Sequence, residues 1–336
     1  MYANELSSQY SVRGGNFDEN LVYVNDIEIY RPFLVRSGQQ EGLSFINPDM
    51  VGSVLFSSGG FEARYGDKLS SVLDIRYRKP VESAGSASLS LMGGTAHLEG
   101  ISPNKRLTYL AGVRYKTNKY MLNSLETEGN YDPKFADIQT YITYDLNPEW
   151  EISFLGNLSN NQYDFDPEYR VTSFGVIKDA KQLEIWFDGK ERDLFSTYMG
   201  AATATYKPHK NLEMKWIFSA FRTRESESFD IQGQYALNEL DNSLNSNSYA
   251  DSIQNIGVGT YLDHARNKLT ANVLSIDYKG NYTKDHQELH WGARIQHSFI
   301  SDKIEEWMML DSAGYSLPYT DSVVNLNSTL FAQTKL

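Results

Sequence analysis

From about Gly85 onward, apolar and polar residues alternate in long segments. In RLTYLAGVRYK, Leu107, Tyr109, Ala111, Val113 and Tyr115 share one face, and Arg106, Thr108, Gly112 and Arg114 the other. WEISFLGNLS sets Trp150, Ile152, Phe154 and Leu158 against Glu151, Ser153 and Asn157. LEMKWIFSAF sets Leu212, Met214, Trp216, Phe218 and Ala220 against Glu213, Lys215 and Ser219, and ELHWGARIQHSF repeats the pattern around Trp291 and Ile295. A period of two marks strands whose two faces meet different surroundings.

The connectors carry a second rhythm. Tight polar turns at 102–105 (SPNK), 146–149 (LNPE), 207–211 (KPHKN) and 283–287 (TKDHQ) alternate with longer connectors at 118–135, 161–193, 226–266 and 301–323. Successive turns of an up-and-down antiparallel sheet fall at opposite ends, so one rim receives the short turns and the other the long loops. About nine strands are predicted, the last being NSTLFAQTKL. A membrane barrel tolerates no open edge and bacterial single-chain barrels have even strand counts, so this count predicts a fragment.

Residues 1–80 lack that rhythm. QYSVRG, NLVYVNDIEIY and MVGSVLFSSG are short strand candidates between Gly, Asn, Asp and Pro turns, and SSVLDI is a further strand leading out of the glycine-rich SSGGFEARYG. A small domain over 1–80 and a strand domain over 81–336 are expected, with the boundary at RKPVESAG, residues 78–85.

Composition narrows the class. The 336 residues are 13% aromatic, with 23 Tyr, 24 Gly, 9 Pro and no Cys, which favours strands and turns and excludes disulfides and thiolate metal sites. A net charge of -12 without a basic stripe argues against a nucleic-acid partner. No apolar run reaches the roughly 18 residues of a membrane helix, but a barrel crosses on strands of about 9–11 residues, compatible with a mean hydropathy of -0.48. Tyr115, Tyr144, Trp150, Tyr206 and Trp291 sit near the ends of the apolar faces, where an interfacial girdle places aromatics. A soluble β-sandwich also alternates; strand length and the strict turn rhythm favour the barrel, and a soluble extracellular β-rich glycan-binding or adhesion module is the alternative.

Several motifs then resemble one family. Arg13-Gly14-Gly15 is followed by Leu21-Val22-Tyr23-Val24-Asn25-Asp26 and then by Gly59-Gly60-Phe61-Glu62-Ala63-Arg64-Tyr65-Gly66. That order resembles the distal half of the plug domain of TonB-dependent outer-membrane receptors of the Bacteroidota type. FDPEYRVTSFGVIKDAKQLEIWFDGKERDLF resembles the long extracellular loop between their early barrel strands. Asn25-Asp26 stands where the family has Asp-Gly, which loosens the expectation of a tight turn there. The starch-utilisation subgroup spaces its Arg-Gly turn differently, so no lipoprotein lid is implied.

The resemblance implies a mainly β fold: a small α+β plug, then part of an antiparallel up-and-down transmembrane β-barrel. It implies outer-membrane lipid around the wall and uptake of a scarce, bulky solute such as a siderophore, glycan, cobalamin or peptide. TonB is the implied partner, acting through an N-terminal segment absent from this sequence. Arg13 and Arg64, beside glycines, are candidates to pair with inward carboxylates such as Glu151 or Glu213 across a polar seam, and either to gate the plug or merely to anchor it. Gly14, Gly15, Gly60, Tyr65 and Gly66 complete the motif. Tyr163, Phe165, Tyr169 and Trp186 are candidates for solute capture, or for packing their loop.

Catalytic and cofactor motifs are missing: there is no Gly-x-Ser-x-Gly, phosphate loop or Cys-His set. DHQELH offers His286, Glu288 and His290 on alternate positions, but these read as solvated hairpin-end residues. A β-rich glycosidase would need a carboxylate pair that the context does not single out. No enzyme activity, metal or cofactor is therefore expected.

Overall fold

The computed structural model describes residues 10–15, 19–30, 44–66, 70–122, 129–176, 179–241, 252–310 and 313–335. They form two sheets. The first holds β1 (Asn20–Val24), β2 (Ile27–Glu28), β3 (Val51–Ser57) and β4 (Ser71–Tyr77) in the order β2-β1-β4-β3. β1 and β4 run parallel from Asn20↔Ser71 to Val24↔Ile75, and β2 and β3 are antiparallel edges. Parallel central strands must be covered on both faces, which explains the unbroken apolar run Leu21 to Val24 and its complete burial.

Two expectations change here. In QYSVRG, residues 10–12 take no regular structure and 13–14 form a turn, where a strand is expected. Ser71–Tyr77, expected only as a strand leading out of the glycine-rich stretch, is a central strand of the small sheet, with Val72 and Ile75 buried. A 3-10 turn, Pro48–Met50, precedes β3. Gly112 on the wall makes room for that turn: a Cβ there would lie 2.4 Å from the Asn47 amide nitrogen and 3.4 Å from the Met50 sulfur.

The second sheet is the wall. Its strands are β5 (Ala84–Ser90), β6 (Gly93–Ile101), β7 (Leu107–Lys116), β8 (Gly129–Asp145), β9 (Trp150–Pro167), β10 (Arg170–Val176), β11 (Asp179–His209), β12 (Leu212–Leu240), β13 (Ser252–Lys284), β14 (Gln287–Leu310) and β15 (Ala313–Lys335). All except β10 lie in one continuous antiparallel path from β5 to β15, and β10 pairs with β11 beside it. The alternation predicts about nine strands; β5, AGSASLS, is too small in its side chains to show alternation.

The four short turns join β6 to β7, β8 to β9, β11 to β12 and β13 to β14 at one rim, as the connector rhythm predicts. The long connectors differ from expectation. Much of 161–193, 226–266 and 301–323 is paired strand, so that β11, β12 and β13 run for 31, 29 and 33 residues. At about 3.4 Å per residue these reach roughly 100 Å, far beyond the 9–11 residues that cross a bilayer. Residues such as Phe229, Ile231 and Tyr235 keep their β propensity there, while polar residues on both faces hide the hydropathy pattern.

Alternation along the wall sorts side chains cleanly. Tyr109, Val113, Ile142, Phe154, Leu158, Phe218, Leu274, Ile276 and Ile295 are exposed on the outer face. Leu110, Leu155, Ile217, Phe221 and Val273, on the opposite parity, are buried beneath the small sheet. Near the short-turn rim the outer face carries a ladder of rings: Trp150 stacks on Tyr206 at 4.6 Å and on Trp216 at 5.9 Å, and Trp216 lies 5.5 Å from Tyr278. The Trp291 indole N–H donates to the Tyr278 hydroxyl at 3.3 Å. Such a belt is the arrangement of amphipathic rings at a membrane interface.

Candidate functional site: the seam between the small sheet and the wall

The seam begins in a two-residue turn. Asn25 and Asp26 join β1 to β2 with φ of 52° and 70°, so the turn is tight although neither residue is Gly. The Asp26 carboxylate, 8% exposed, accepts two hydrogen bonds of 2.6 Å from the Arg76 guanidinium and one of 2.8 Å from Lys215 of the wall. Lys279 donates to the Asp26 carbonyl at 2.9 Å and lies 5.2 Å from the Tyr23 ring centroid. Burial alone would raise the Asp26 carboxyl; Lys215 and Lys279, with the hydrogen bond and charge of Arg76, overcome it and hold the group well below 3.8.

From Asp26 a charged chain runs both ways. Arg76 reaches Asp74 at 3.2 Å, and Asp74 accepts the Tyr65 hydroxyl at 2.6 Å; burial and that bond push the Tyr65 phenol up. In the wall, Lys215 lies 3.0 Å from Glu213, which pairs with Lys207 in the short turn at 2.7 Å. The chain thus joins the glycine-rich motif to the rim. Breaking any buried member leaves the others uncompensated, which is far costlier than losing a surface pair. A cavity of about 170 Å³ borders Asp26, Arg76, Lys215 and Lys279.

Two further contacts tie the sheets together. Arg294 of β14 pairs with Glu28 and donates to the Tyr30 hydroxyl, which itself donates to Gln296 at 2.9 Å. Burial, with Glu28 nearby, pushes the Tyr30 phenol up to about 12. Arg114 of β7, paired with Asp137, donates to the carbonyls of Ile46 at 2.7 Å and Ser44 at 2.8 Å, and Tyr77 donates to Gln139 at 2.7 Å. Between these polar clamps the seam is apolar: Val22, Val24, Ile27, Ile29, Met50 and Ile75 pack on Leu110, Leu155, Met199, Ile217, Phe221 and Val273. The expected polar-on-polar seam is corrected to a hydrophobic contact with buried ion pairs set into it.

The motif arginines sit elsewhere. Arg13 takes φ of 53° ahead of Gly14, in a turn closed by the Gly15 N–H on the Val12 carbonyl at 3.0 Å. Its guanidinium lies where a Cβ on Gly59 (φ 120°) would come within 2.6 Å, so Arg13 spans the two glycine turns. Arg64 approaches Glu62 to 2.8 Å, out of line for a hydrogen bond, and lies 4.8 Å from the Tyr65 ring centroid. Neither arginine pairs with Glu151 or Glu213: Glu151 is held by Lys79 at 2.8 Å, and Glu213 joins the seam through Lys215. Gly60 (φ 62°) and Gly66 lie in the same turn region, and a Cβ added at either would meet no atom within 4 Å.

The four aromatic candidates separate into two pairs. Tyr163 and Phe165 stand on the inner parity of β9, with Tyr163 buried against Tyr131 at 6.0 Å and Phe165 stacked on Tyr131 at 4.7 Å. Tyr169 and Trp186 pair with each other at 5.6 Å, exposed, with Trp186 on the parity of the outward Leu194 and Tyr198. The stretch expected as a long loop is the β10–β11 hairpin, in register from Arg170↔Ile185 to Val176↔Asp179. His286 falls in the turn between β13 and β14, while His290 and Glu288 pair at 3.0 Å on β14. Among the described residues no cluster of three metal-ligating side chains occurs.

Residues 2–71 match the family model of the TonB-dependent Receptor Plug Domain. No curated protein sequence matches the chain. Among solved structures, the chain is similar to the ferric yersiniabactin uptake receptor FyuA from Yersinia pestis, at 13% identity and a TM-score of 0.40, over 98% of this chain and 56% of that one. It is also similar to the siderophore receptor PirA from Pseudomonas aeruginosa, at 12% identity and a TM-score of 0.34, over 97% and 80%. The pyoverdine outer membrane receptor FpvA of the same organism aligns at 10% identity and a TM-score of 0.35, over 97% and 74%. The chain thus spans about half the length of the first of these, 56%.

Proposed function

We propose that this chain is the distal plug and adjoining wall of a TonB-dependent receptor in the Gram-negative outer membrane, of the type found in Bacteroidota. It acts in energised uptake of a bulky solute and performs no catalysis. The observation that carries this reading is the seam: a plug-like sheet clamped by Asp26, Arg76, Lys215 and Lys279 to the inner face of a wall whose outer face is apolar. A pull transmitted to the small sheet would have to break those buried pairs, so Asp26 and Arg76, rather than Arg13 or Arg64, hold the plug. Phe165, half-buried on the inward parity and backed by the buried Tyr131 and Tyr163, lies further from the short-turn rim and supplies a ring surface for the solute.

The test is a screen of iron chelates, glycans, cobalamin and peptides on the detergent-solubilised full receptor. Phe165→Ala is expected to weaken binding of the hit about tenfold, and Trp186→Ala to leave it unchanged. Equal losses at both sites would overturn the assignment of the capture surface. Free solubility of the full protein without detergent would replace the whole reading by the soluble glycan-binding module.

A further inference from the structure

On the outer face of β12 the apolar series Leu212, Met214, Trp216, Phe218, Ala220 gives way abruptly to Arg222 and Arg224. Both arginines are exposed, and among the described residues neither has a hydrogen-bond or ion-pair partner. Cross-strand register sets Arg222 beside Tyr198 and Asn272, and Arg224 beside Ser196 and Thr270. One step further, Ser226 faces Lys268, and Lys268 directly faces Lys303 of β14. Three acids of this face stand higher and are engaged: Asp164 by Arg192 at 2.6 Å, Asp230 by Arg266 and His264, and Glu305 by Lys303 at 2.7 Å.

Height identifies the counter-charge. From Leu212 to Arg222 is about ten residues, roughly 33 Å along the strand and about 25 Å along the membrane normal at a tilt near 40°. That is the height of the apolar band of an outer-membrane barrel, so the arginines emerge where hydrocarbon ends and headgroups begin. β13 changes at the same level, from Ile276 and Leu274 to Asn272, Thr270 and Lys268. In a chain of net charge -12, two exposed arginines without a partner among the described residues suit an anionic neighbour at that level.

We propose that Arg222, Arg224 and Lys268 form an external binding site for the phosphorylated headgroup of an outer-leaflet lipid. The site rests on the barrel reading. Guanidinium groups bind phosphate oxygens in a bidentate fork, and the rings of Tyr198 and Phe299 beside the patch are available to the upper acyl segment. Bound lipid would neutralise Arg222 and Arg224 and pin the wall at a fixed depth.

The test measures binding of a bisphosphorylated disaccharide glycolipid to the purified full receptor by native mass spectrometry, for the natural protein and for Arg222→Gln with Arg224→Gln. Loss of about fivefold per arginine is expected, and the dephosphorylated glycolipid should bind both proteins equally weakly. Arg192→Gln, whose partner is Asp164, is the control and should retain binding. Equal binding by the natural protein and the double variant would overturn the site, as would full competition by millimolar inorganic phosphate, which would mark a free-anion site. Outer-membrane fractionation of both proteins separates the two levels of failure. A natural protein that does not fractionate with membrane sinks the barrel reading and the site together; a membrane-embedded variant with undiminished binding sinks the site alone.

Discussion

On β12, Trp216 and Phe218 point outward while Lys215 and Ile217 point inward, one residue away along the same backbone. The outer series is uniform and its members touch mainly each other, as the stacked Trp150, Tyr206 and Trp216 show. The inner series is heterogeneous, and each residue answers a particular group on the small sheet: Lys215 meets Asp26, Ile217 meets the apolar cluster, and Arg294 on β14 meets Glu28. The outer face is therefore built for a solvent and the inner face for a partner. A solvent-facing surface tolerates exchange among apolar residues, whereas a partner-facing one fails at single positions.

The inner face should break first at Asp26. Asp26→Asn leaves Arg76, Lys215 and Lys279 buried without their carboxylate, a loss of about 3–5 kcal/mol. Urea titration of the full protein, with protease cleavage of the small domain as a second readout, should show release of the small sheet ahead of the wall. The pH dependence follows the same group. Its folded value is depressed, so its contribution is fully present above the unfolded value of about 3.9 and is lost as pH falls through the lower folded value. The natural protein should be indifferent to Asp26 between pH 5 and 8, roughly, and should converge on the variant in acid. A constant difference down to about pH 2 would show that the carboxylate acts by shape rather than charge.

The outer face should respond by depth. Phe218→Arg places a charge in the middle of the apolar band and is expected to cost about 2–4 kcal/mol, while Ser226→Arg, two residues beyond Arg224, should cost about 0–1 kcal/mol. Refolding into lipid vesicles followed by denaturant titration measures both. Equal costs would mean that the exposed apolar series does not face hydrocarbon.

The sequence displays the outer face far better than the inner. Period-two alternation exposes Tyr109, Phe154, Phe218 and Ile295 because the outward residues share one property, and the short turns display the rim. The seam is hidden because its members are individually ordinary. Lys215, Lys279 and Arg294 look like any polar residue opposite an apolar face, and their partners lie 189, 253 and 266 residues away. Asp26 alone carries a signal: an acid held in a left-handed turn that glycine fills more cheaply calls for a reason, and here the reason is charge. Ser71–Tyr77 is legible as a strand but not as the centre of the small sheet, since its parallel partner β1 pairs with it across 51 residues of chain. The extended strands above the apolar band are illegible because water on both sides removes the alternation.

The smallest expected effect tests the motif itself. Among the described residues Arg64 is paired only with Glu62, two residues away and 42% exposed, and with the face of Tyr65; exposed pairs of this kind contribute about 0–1 kcal/mol. Arg76, in contrast, is bound on both oxygens of Asp26 and on Asp74. Arg64→Glu should therefore leave retention of the small sheet within about 1 kcal/mol of the natural protein, while Arg76→Ala should approach the loss seen for Asp26→Asn. Uptake and plug retention measured separately on both variants decide the role of the motif. If Arg64→Glu abolishes retention, the glycine-flanked turn is a latch in its own right; if it changes neither quantity, the turn acts through Tyr65, whose hydroxyl is the first link of the chain to Asp26.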